Sequence, residues 1–324
     1  MTRNSLSHFW DRAAETWDSM VESERNPHYH YYRTTDLLVV KLLQATQAQQ
    51  ALELGCGTAG CAINALQILN NNADLHITGI DISPRMIELG KQKIEKIGLK
   101  NRITLNIGDC SSLPYPNEYF DVVFSRGGVL SYTEHPTHLL QSAYRVLRFG
   151  GALGLDVLPK YPKGRGYYIG KLAESLNDNG IPHSRSMQVS YREFFVKGNY
   201  QIVREYLVKS GSQLFMELTQ EFHALPSHLP GILKRPQHLK EADFIFEKKV
   251  RLLTVEELRQ TLMNAQFRDI RVYGEGYATY LVKDKELRPF VNAHRDYFSK
   301  AEILLYDKLC LDYAVMLYIT GWKR

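Results

Sequence analysis

Apolar residues along this chain recur with two periods, and the first half switches between them repeatedly. Residues 8–24 place Trp10 and Trp17 seven apart, so both fall on one face of an amphipathic helix. The aromatic tract from Pro27 to Arg33 follows, and a second helical period covers 35–46. Residues 50–54 read as a short apolar strand ending in a Gly-rich turn, with a helix over 59–70 behind it. The strand predicted at 76–80 leads into Ser83-Pro84, an N-cap followed by proline at the first helical position. Met86, Ile87, Ile94 and Ile97 give that helix an inward stripe, and Ile103, Leu105 and Ile107 alternate as a third strand. Residues 121–125 form a fourth, buried strand, and a helix is predicted over 136–148. Gly150-Gly151 then turns into a fifth strand at 152–157.

Five strands between residues 50 and 157, with helices in three of the four gaps, require right-handed crossovers and a mainly parallel sheet. That predicts a doubly wound α/β core, in which the gap at 108–120 is the short, turn-rich exception. The alternation stops after Leu158. Residues 159–252 mix helical and extended signals, and the pattern resumes at Thr254 to Glu257, a capping box. Strands are expected at 268–273 and 315–319, with a helical, aromatic-rich excursion at 276–312 between them. The expected organisation is a helical cover over 1–46, a core over 47–158, a helical or mixed cap over 159–252, and the rest of the core over 253–324.

Composition narrows the classes. At 324 residues the chain exceeds a single minimal domain, and 44% hydrophobic with 23% charged residues is ordinary for a globular protein. The net charge of +5 is scattered, Lys234-Arg235 and Lys248-Lys249 being the densest pairs, so nucleic acid is permitted but not indicated. Four cysteines show neither paired metal spacing nor a disulfide framework, which suits a reducing cytoplasm. The N-terminus lacks a signal-peptide apolar region, and Leu37-Leu38-Val39-Val40 stops at Lys41, so no membrane span is expected. Oligomeric state is left open.

Gly55-Cys56-Gly57-Thr58-Ala59-Gly60 matches G-x-G-x-x-G between a strand and a helix. Alone the string is weak, because dinucleotide enzymes use it as well. Its glycines allow a tight turn and close approach of a ligand to a helix N-terminus. Asp81, at the tip of the second strand, can accept from both ribose hydroxyls. Glu53 lies inside the first strand, where an acid is costly without a donor.

Several motifs in order are more specific. The E-x-G-C-G-x-x-G turn, Asp81, Gly108-Asp109 and Leu113-Pro114-Tyr115 precede Phe120-Asp121-Val122-Val123, Arg145-Val146-Leu147-Arg148 and Gly150-Gly151. Over residues 50–157 the chain resembles the class I S-adenosylmethionine methyltransferases, in the small-molecule group related to the quinone-biosynthesis methyltransferases. The resemblance implies a Rossmann-like seven-stranded sheet whose last strand is antiparallel, and Tyr318 to Lys323 looks like that ending. It also implies S-adenosylmethionine as cofactor and S-adenosylhomocysteine as product. Gly55 and Gly57 would then face the methionine portion, with Glu53 beside them, and Asp81 the ribose. Ile82 and Met86 would pack on the adenine, Asp109 would accept from its amino group, and the Cys110 N–H would hold a ring nitrogen. Ser125, Arg126 and Gly127 would line the transfer position, with Arg126 equally open to pairing with a surface carboxylate.

A sulfonium already makes its methyl group electrophilic, so the protein must hold a nucleophile in line and exclude water. Acceptors that lose a proton need a base, and His135 is the candidate, with Glu134 beside it. His135 also reads as a solvent-exposed helix-start residue, His223 and His228 as loop or packing residues, and His28 to Tyr32 as cover or hinge. No metal site is expected. Aromatics of the inserts, such as Tyr161, Tyr167, Phe222, Tyr277, Phe290 and Phe298, suit a pocket for a small apolar or aromatic acceptor or else form the cap's own core. The rivals are methyl transfer to RNA or protein, a nicotinamide oxidoreductase, and a non-catalytic cofactor-binding subunit.

Overall fold

The computed structural model describes residues 3–21, 29–70, 74–159, 187–196, 199–207, 213–218, 244–278, 286–306, 309, 311 and 314–324. Helices α1 (Arg3–Val21) and α2 (Tyr29–Ala45) precede an alternating series. That series is β1 (Gln50–Leu54), α3 (Gly60–Ile68), β2 (His76–Asp81), α4 (Pro84–Lys96), β3 (Ile103–Ile107) and β4 (Phe120–Ser125). Then come α5 (Val129–Tyr132), α6 (Pro136–Val146) and β5 (Leu147–Val157).

The chain later returns to the same sheet. After α7 (Val255–Asn264), β10 (Arg268–Glu275) and β11 (Met316–Trp322) complete seven strands in the order β10-β11-β5-β4-β1-β2-β3. β1 pairs in parallel with β2 and β4, whereas β11 runs antiparallel between β5 and β10. The Rossmann-like sheet with its reversed last strand is therefore present.

Both faces of this sheet are buried, which is why its strands read as continuous apolar runs. Successive residues serve opposite layers. Ala51, Val122 and Phe124 pack with α2 and α3, through Val39, Leu43 and Ala62. Leu52, Val123 and Leu153 pack with α6 and α7, through Leu139, Leu140 and Leu258. Ser83 caps α4 as its side chain accepts from the Met86 N–H at 3.0 Å, and Thr254 caps α7 by accepting from the Glu257 N–H at 3.2 Å.

Several boundaries differ from the sequence reading. α2 starts at Tyr29, so Tyr31 and Tyr32 are buried residues of its first turns rather than a separate tract. Ile97 falls on the C-cap of α4 and Ile107 on the last position of β3, and both are exposed. β5 begins directly at the end of α6. Gly150-Gly151 lies inside it, where the pairing jumps from Phe120↔Leu147 to Val122↔Ala152. The Gly150 N–H donates to the Lys323 carbonyl and the Lys323 N–H to the Gly151 carbonyl, so this bulge is tied to the end of β11.

Between β5 and α7 the described elements are strands. β6 (Met187–Val196), β7 (Asn199–Leu207), β8 (Gln213–Leu218) and β9 (Phe244–Leu252) form an antiparallel sheet in the order β8-β7-β6-β9. In the second excursion, α9 (Arg295–Leu304) docks on α2, and α8 (Arg288–Ala293) meets α2 where Asn292 bonds the His30 ring at 2.9 Å. Arg33 pairs with Asp296 at 2.6 Å, and the Thr34 hydroxyl donates to Glu302 at 2.9 Å. Among the described residues, no helix is long and apolar enough to cross a membrane.

Candidate functional site

A cavity of about 580 Å³ opens at the carboxyl ends of β1, β2 and β4, the edge where doubly wound sheets place ligands. Its floor is the turn from β1 to α3. Gly55 and Gly57 take φ of 61° and 52°, a left-handed region open to glycine, and a Cβ on Gly55 would collide with Val129. The Gly57 N–H donates to Asp81 Oδ2 at 2.9 Å, and the Ser83 N–H donates to Asp81 Oδ1 at 2.9 Å. Asp81 thus joins the glycine turn to the start of α4. Burial raises its carboxyl above the usual range, and the N–H groups of Ser83, Gly57 and Ile82 oppose that shift.

The next wall comes from the ends of β2 and β3. Ile82 and Met86 line it, followed by Asp109 and Cys110. Asp109 accepts from the Ser111 N–H at 2.8 Å and the Ser111 hydroxyl at 2.7 Å, which fixes the carboxylate in the turn. Burial pushes the Cys110 thiol up, so it stays protonated. Apolar Ile82 and Met86 between two carboxylates make a wall with the chemistry that a nucleoside requires.

The third wall holds charge away from water. Glu53 lines the cavity, 2% exposed, and accepts from the Ala62 N–H at 3.2 Å. Burial pushes its carboxyl up to about 8, against the lowering effect of Arg126. Arg126 also lines the cavity, but its partner is the buried Asp36 of α2 at 2.8 Å rather than a surface carboxylate. Asn64 donates to the other oxygen of Asp36 at 2.7 Å, and the guanidinium lies 5.2 Å from the centre of the Tyr32 ring.

Ser125 corrects an expectation. It is fully buried and absent from the cavity lining, because its hydroxyl donates to the buried carboxylate of Asp156 at 3.2 Å. The same carboxylate accepts from the Gly127 N–H at 2.6 Å and the Gly128 N–H at 3.0 Å. Glu134 and His135 stand on the rim, both exposed. The His135 ring lies 5.5 Å from that of His138. Among the described residues no His, Cys, Asp and Glu set could hold a metal. His28, His223, His228, Tyr161, Tyr167 and Phe222 lie outside the described residues. Tyr277, Phe290 and Phe298 are described and do not line this cavity.

Part of the lining was not foreseen. Leu6, Trp10 and Trp17 reach the cavity from α1, and Val129 and Tyr132 from α5. The seven-residue spacing of the tryptophans showed that they share a face but not what that face covers. α1 is fastened over α4 by its acids: Asp11 accepts from the Ser83 hydroxyl at 2.6 Å and the Arg85 N–H at 3.0 Å. Asp18 accepts from the Thr58 hydroxyl at 2.5 Å and pairs with Lys93 at 2.9 Å.

Comparisons with known proteins agree with this arrangement. Residues 51–151 match a family described as a methyltransferase domain. The 27-O-demethylrifamycin SV methyltransferase of Amycolatopsis mediterranei is 29% identical over 166 residues, covering 48% of this chain and 58% of that protein. The demethylmenaquinone methyltransferase of Listeria welshimeri is 31% identical over 114 residues, covering 35% of this chain and 47% of that one. This chain thus spans less than two thirds of the length of these relatives. The CcbJ methyltransferase of Streptomyces caelestis shares the fold at a TM-score of 0.57 with 13% identity, over 99% of both chains. Over residues 51–151 this chain therefore carries a methyltransferase domain, similar to that of the demethylmenaquinone methyltransferase.

Proposed function

We propose that the chain transfers a methyl group from S-adenosylmethionine to an oxygen, nitrogen or carbon nucleophile of a small apolar or aromatic metabolite. One observation carries this reading: three strand ends deliver the Gly55–Gly57 turn, Asp81 and Asp109 to one cavity of about 580 Å³. When bound, the cofactor supplies an electrophilic methyl on sulfur. Asp81 would accept from the ribose hydroxyls, and Asp109 from the adenine amino group. The Cys110 N–H would reach a ring nitrogen, and Ile82 and Met86 would flank the base. Gly55 and Gly57 present bare backbone to the methionine portion. Glu53, a buried acid whose carboxyl is pushed up to about 8, regains its charge when an ammonium comes beside it.

The rest of the cavity orients the acceptor. Arg126, already neutralised by Asp36, forms a rigid wall rather than an anion receptor. The α1 rings exclude water, which favours in-line transfer. His135 at the rim would take a proton from acceptors that lose one. The named relatives act on small molecules, which supports a metabolite acceptor, and free, buried Cys56 and Cys61 suit a reducing cytoplasm.

Calorimetry with S-adenosylmethionine, S-adenosylhomocysteine and NAD tests the cofactor. Both sulfur compounds should bind at micromolar to millimolar concentration; uptake of NAD alone would reassign the site. An acceptor screen reading S-adenosylhomocysteine release then tests the substrate class, and turnover on tRNA but on no metabolite would overturn it.

A further inference from the structure

The upper wall of the cavity is aromatic, and its rings stand at right angles. The Trp10 and Trp17 centroids are 5.3 Å apart with planes at 90°, and Trp10 and Tyr132 are 6.4 Å apart with planes at 81°. All three rings line the cavity and all three are half-buried. In such edge-to-face contacts each ring keeps a face of partial negative charge, and all three rings border the cavity.

Acids outnumber permanent cations in the lining, Glu53 among them as an acid that burial holds neutral until a cation arrives. The acids lining the cavity are Glu53, Asp81, Asp109 and Glu134, with Glu134 two residues beyond Tyr132. Among the described residues the permanent cation of the lining is Arg126, and the buried Asp36 takes its charge at 2.8 Å. Among the described residues, a phosphate or carboxylate would find no uncommitted cation in this wall. A compact cation would meet ring faces and carboxylates together.

We propose that Trp10, Trp17 and Tyr132 form a receptor for an onium cation at this cavity. This rests on the methyl-donor reading of the cavity and sharpens it. Two ligands bring that chemistry: the sulfonium of the donor itself, or the ammonium of an amine acceptor. The first gives the rings a part in telling donor from spent product, because S-adenosylhomocysteine has lost the positive charge. The second makes the acceptor an amine.

Titration calorimetry of the full chain separates these sources. Its arms are S-adenosylmethionine, S-adenosylhomocysteine, and tetramethylammonium added to protein with and without S-adenosylhomocysteine. If the rings hold the sulfonium, Trp10→Leu and Tyr132→Leu lower the donor-to-product affinity ratio by about tenfold, while Trp10→Phe, which keeps a ring, preserves most of it. If they hold an acceptor's ammonium, that ratio stays constant and the same two variants lose the tetramethylammonium binding of the wild type. Equal loss of donor and product affinity, or no change in either, together with no tetramethylammonium binding to the wild type, overturns the proposal and leaves the rings as roof packing. Failure of the wild type to bind either sulfur compound overturns the methyl-donor reading instead, and tetramethylammonium titrated into the ligand-free chain still decides the onium receptor.

Discussion

Arg126 and Asp36 meet at 2.8 Å, 90 residues apart in sequence, with side chains only 8% and 2% exposed. The pair joins the turn after β4 to α2 and takes an arginine that lines the cavity out of play as an anion receptor. A buried pair contributes little net stability, but removal of one partner strands the other charge. Asp36→Ala should therefore destabilise the fold by about 3–5 kcal/mol, whereas Asp36→Leu combined with Arg126→Met should recover most of that loss. Chemical denaturation of the three proteins is the measurement; equal loss in the single and double variants would show that the pair does not act as a unit.

Glu53 makes stability and ligand binding respond to pH in opposite directions. Its carboxyl ordinarily titrates near 4.5 and is pushed up to about 8 in the fold. The folded state therefore binds the proton more tightly than the unfolded chain. The stability this contributes is complete below the ordinary value and is lost as pH rises toward about 8. Denaturation midpoints of wild type should fall through that window relative to Glu53→Gln. S-adenosylmethionine binding should release a proton from Glu53 near neutral pH, read as a buffer-dependent heat that Glu53→Gln removes.

Asp156 acts on the site without entering it. Its carboxylate takes the N–H groups of Gly127 and Gly128 and the Ser125 hydroxyl, and so fixes the turn that carries Arg126 and Val129 into the cavity. An amide in its place turns an NH2 toward one of those donors, at a cost of about 1–3 kcal/mol. Asp156→Asn should lower kcat more than it raises the donor KM, because Asp81 and Asp109 keep their own contacts. A change in donor KM alone would contradict a role in placing this turn.

Asp81 should be decisive for cofactor affinity. It holds the Gly57 N–H and the Ser83 N–H at once. Asp81→Ala should weaken S-adenosylmethionine binding by at least tenfold, since the Gly57 and Ser83 N–H groups lose their acceptor along with the proposed ribose contact. An unchanged affinity in calorimetry would move the ribose site elsewhere.

What could be read from the residues was what local physics decides. The strand-turn-helix at Leu54 to Gly60, the Ser83-Pro84 start of α4 and the capping box at Thr254 depend on neighbours within a few positions. Periodicity and turn chemistry therefore located them. Asp81 and Asp109 were legible for the same reason: each sits where a predicted strand ends, and the sheet aligns those ends by register. Gly150-Gly151 was misread as a simple turn, because the bulge it makes exists only through pairing with Lys323.

The partners across the cavity were decided by tertiary structure alone. Nothing near Asp36 or Asp156 announces that one will meet Arg126 and the other Gly127, and nothing near Trp10 sets it against Tyr132. The stretch between β5 and α7 shows the same limit. Its mixed signals resolve, where described, into an antiparallel sheet, because strand pairing joins residues far apart and rewards a register that no local window contains. The residues by themselves determined the doubly wound core and the three strand ends that line the cavity. The fold decided which charges cancel, which rings face one another and which side of α1 covers the cavity. Burial and pairing are properties of surfaces brought together, and no single segment possesses them.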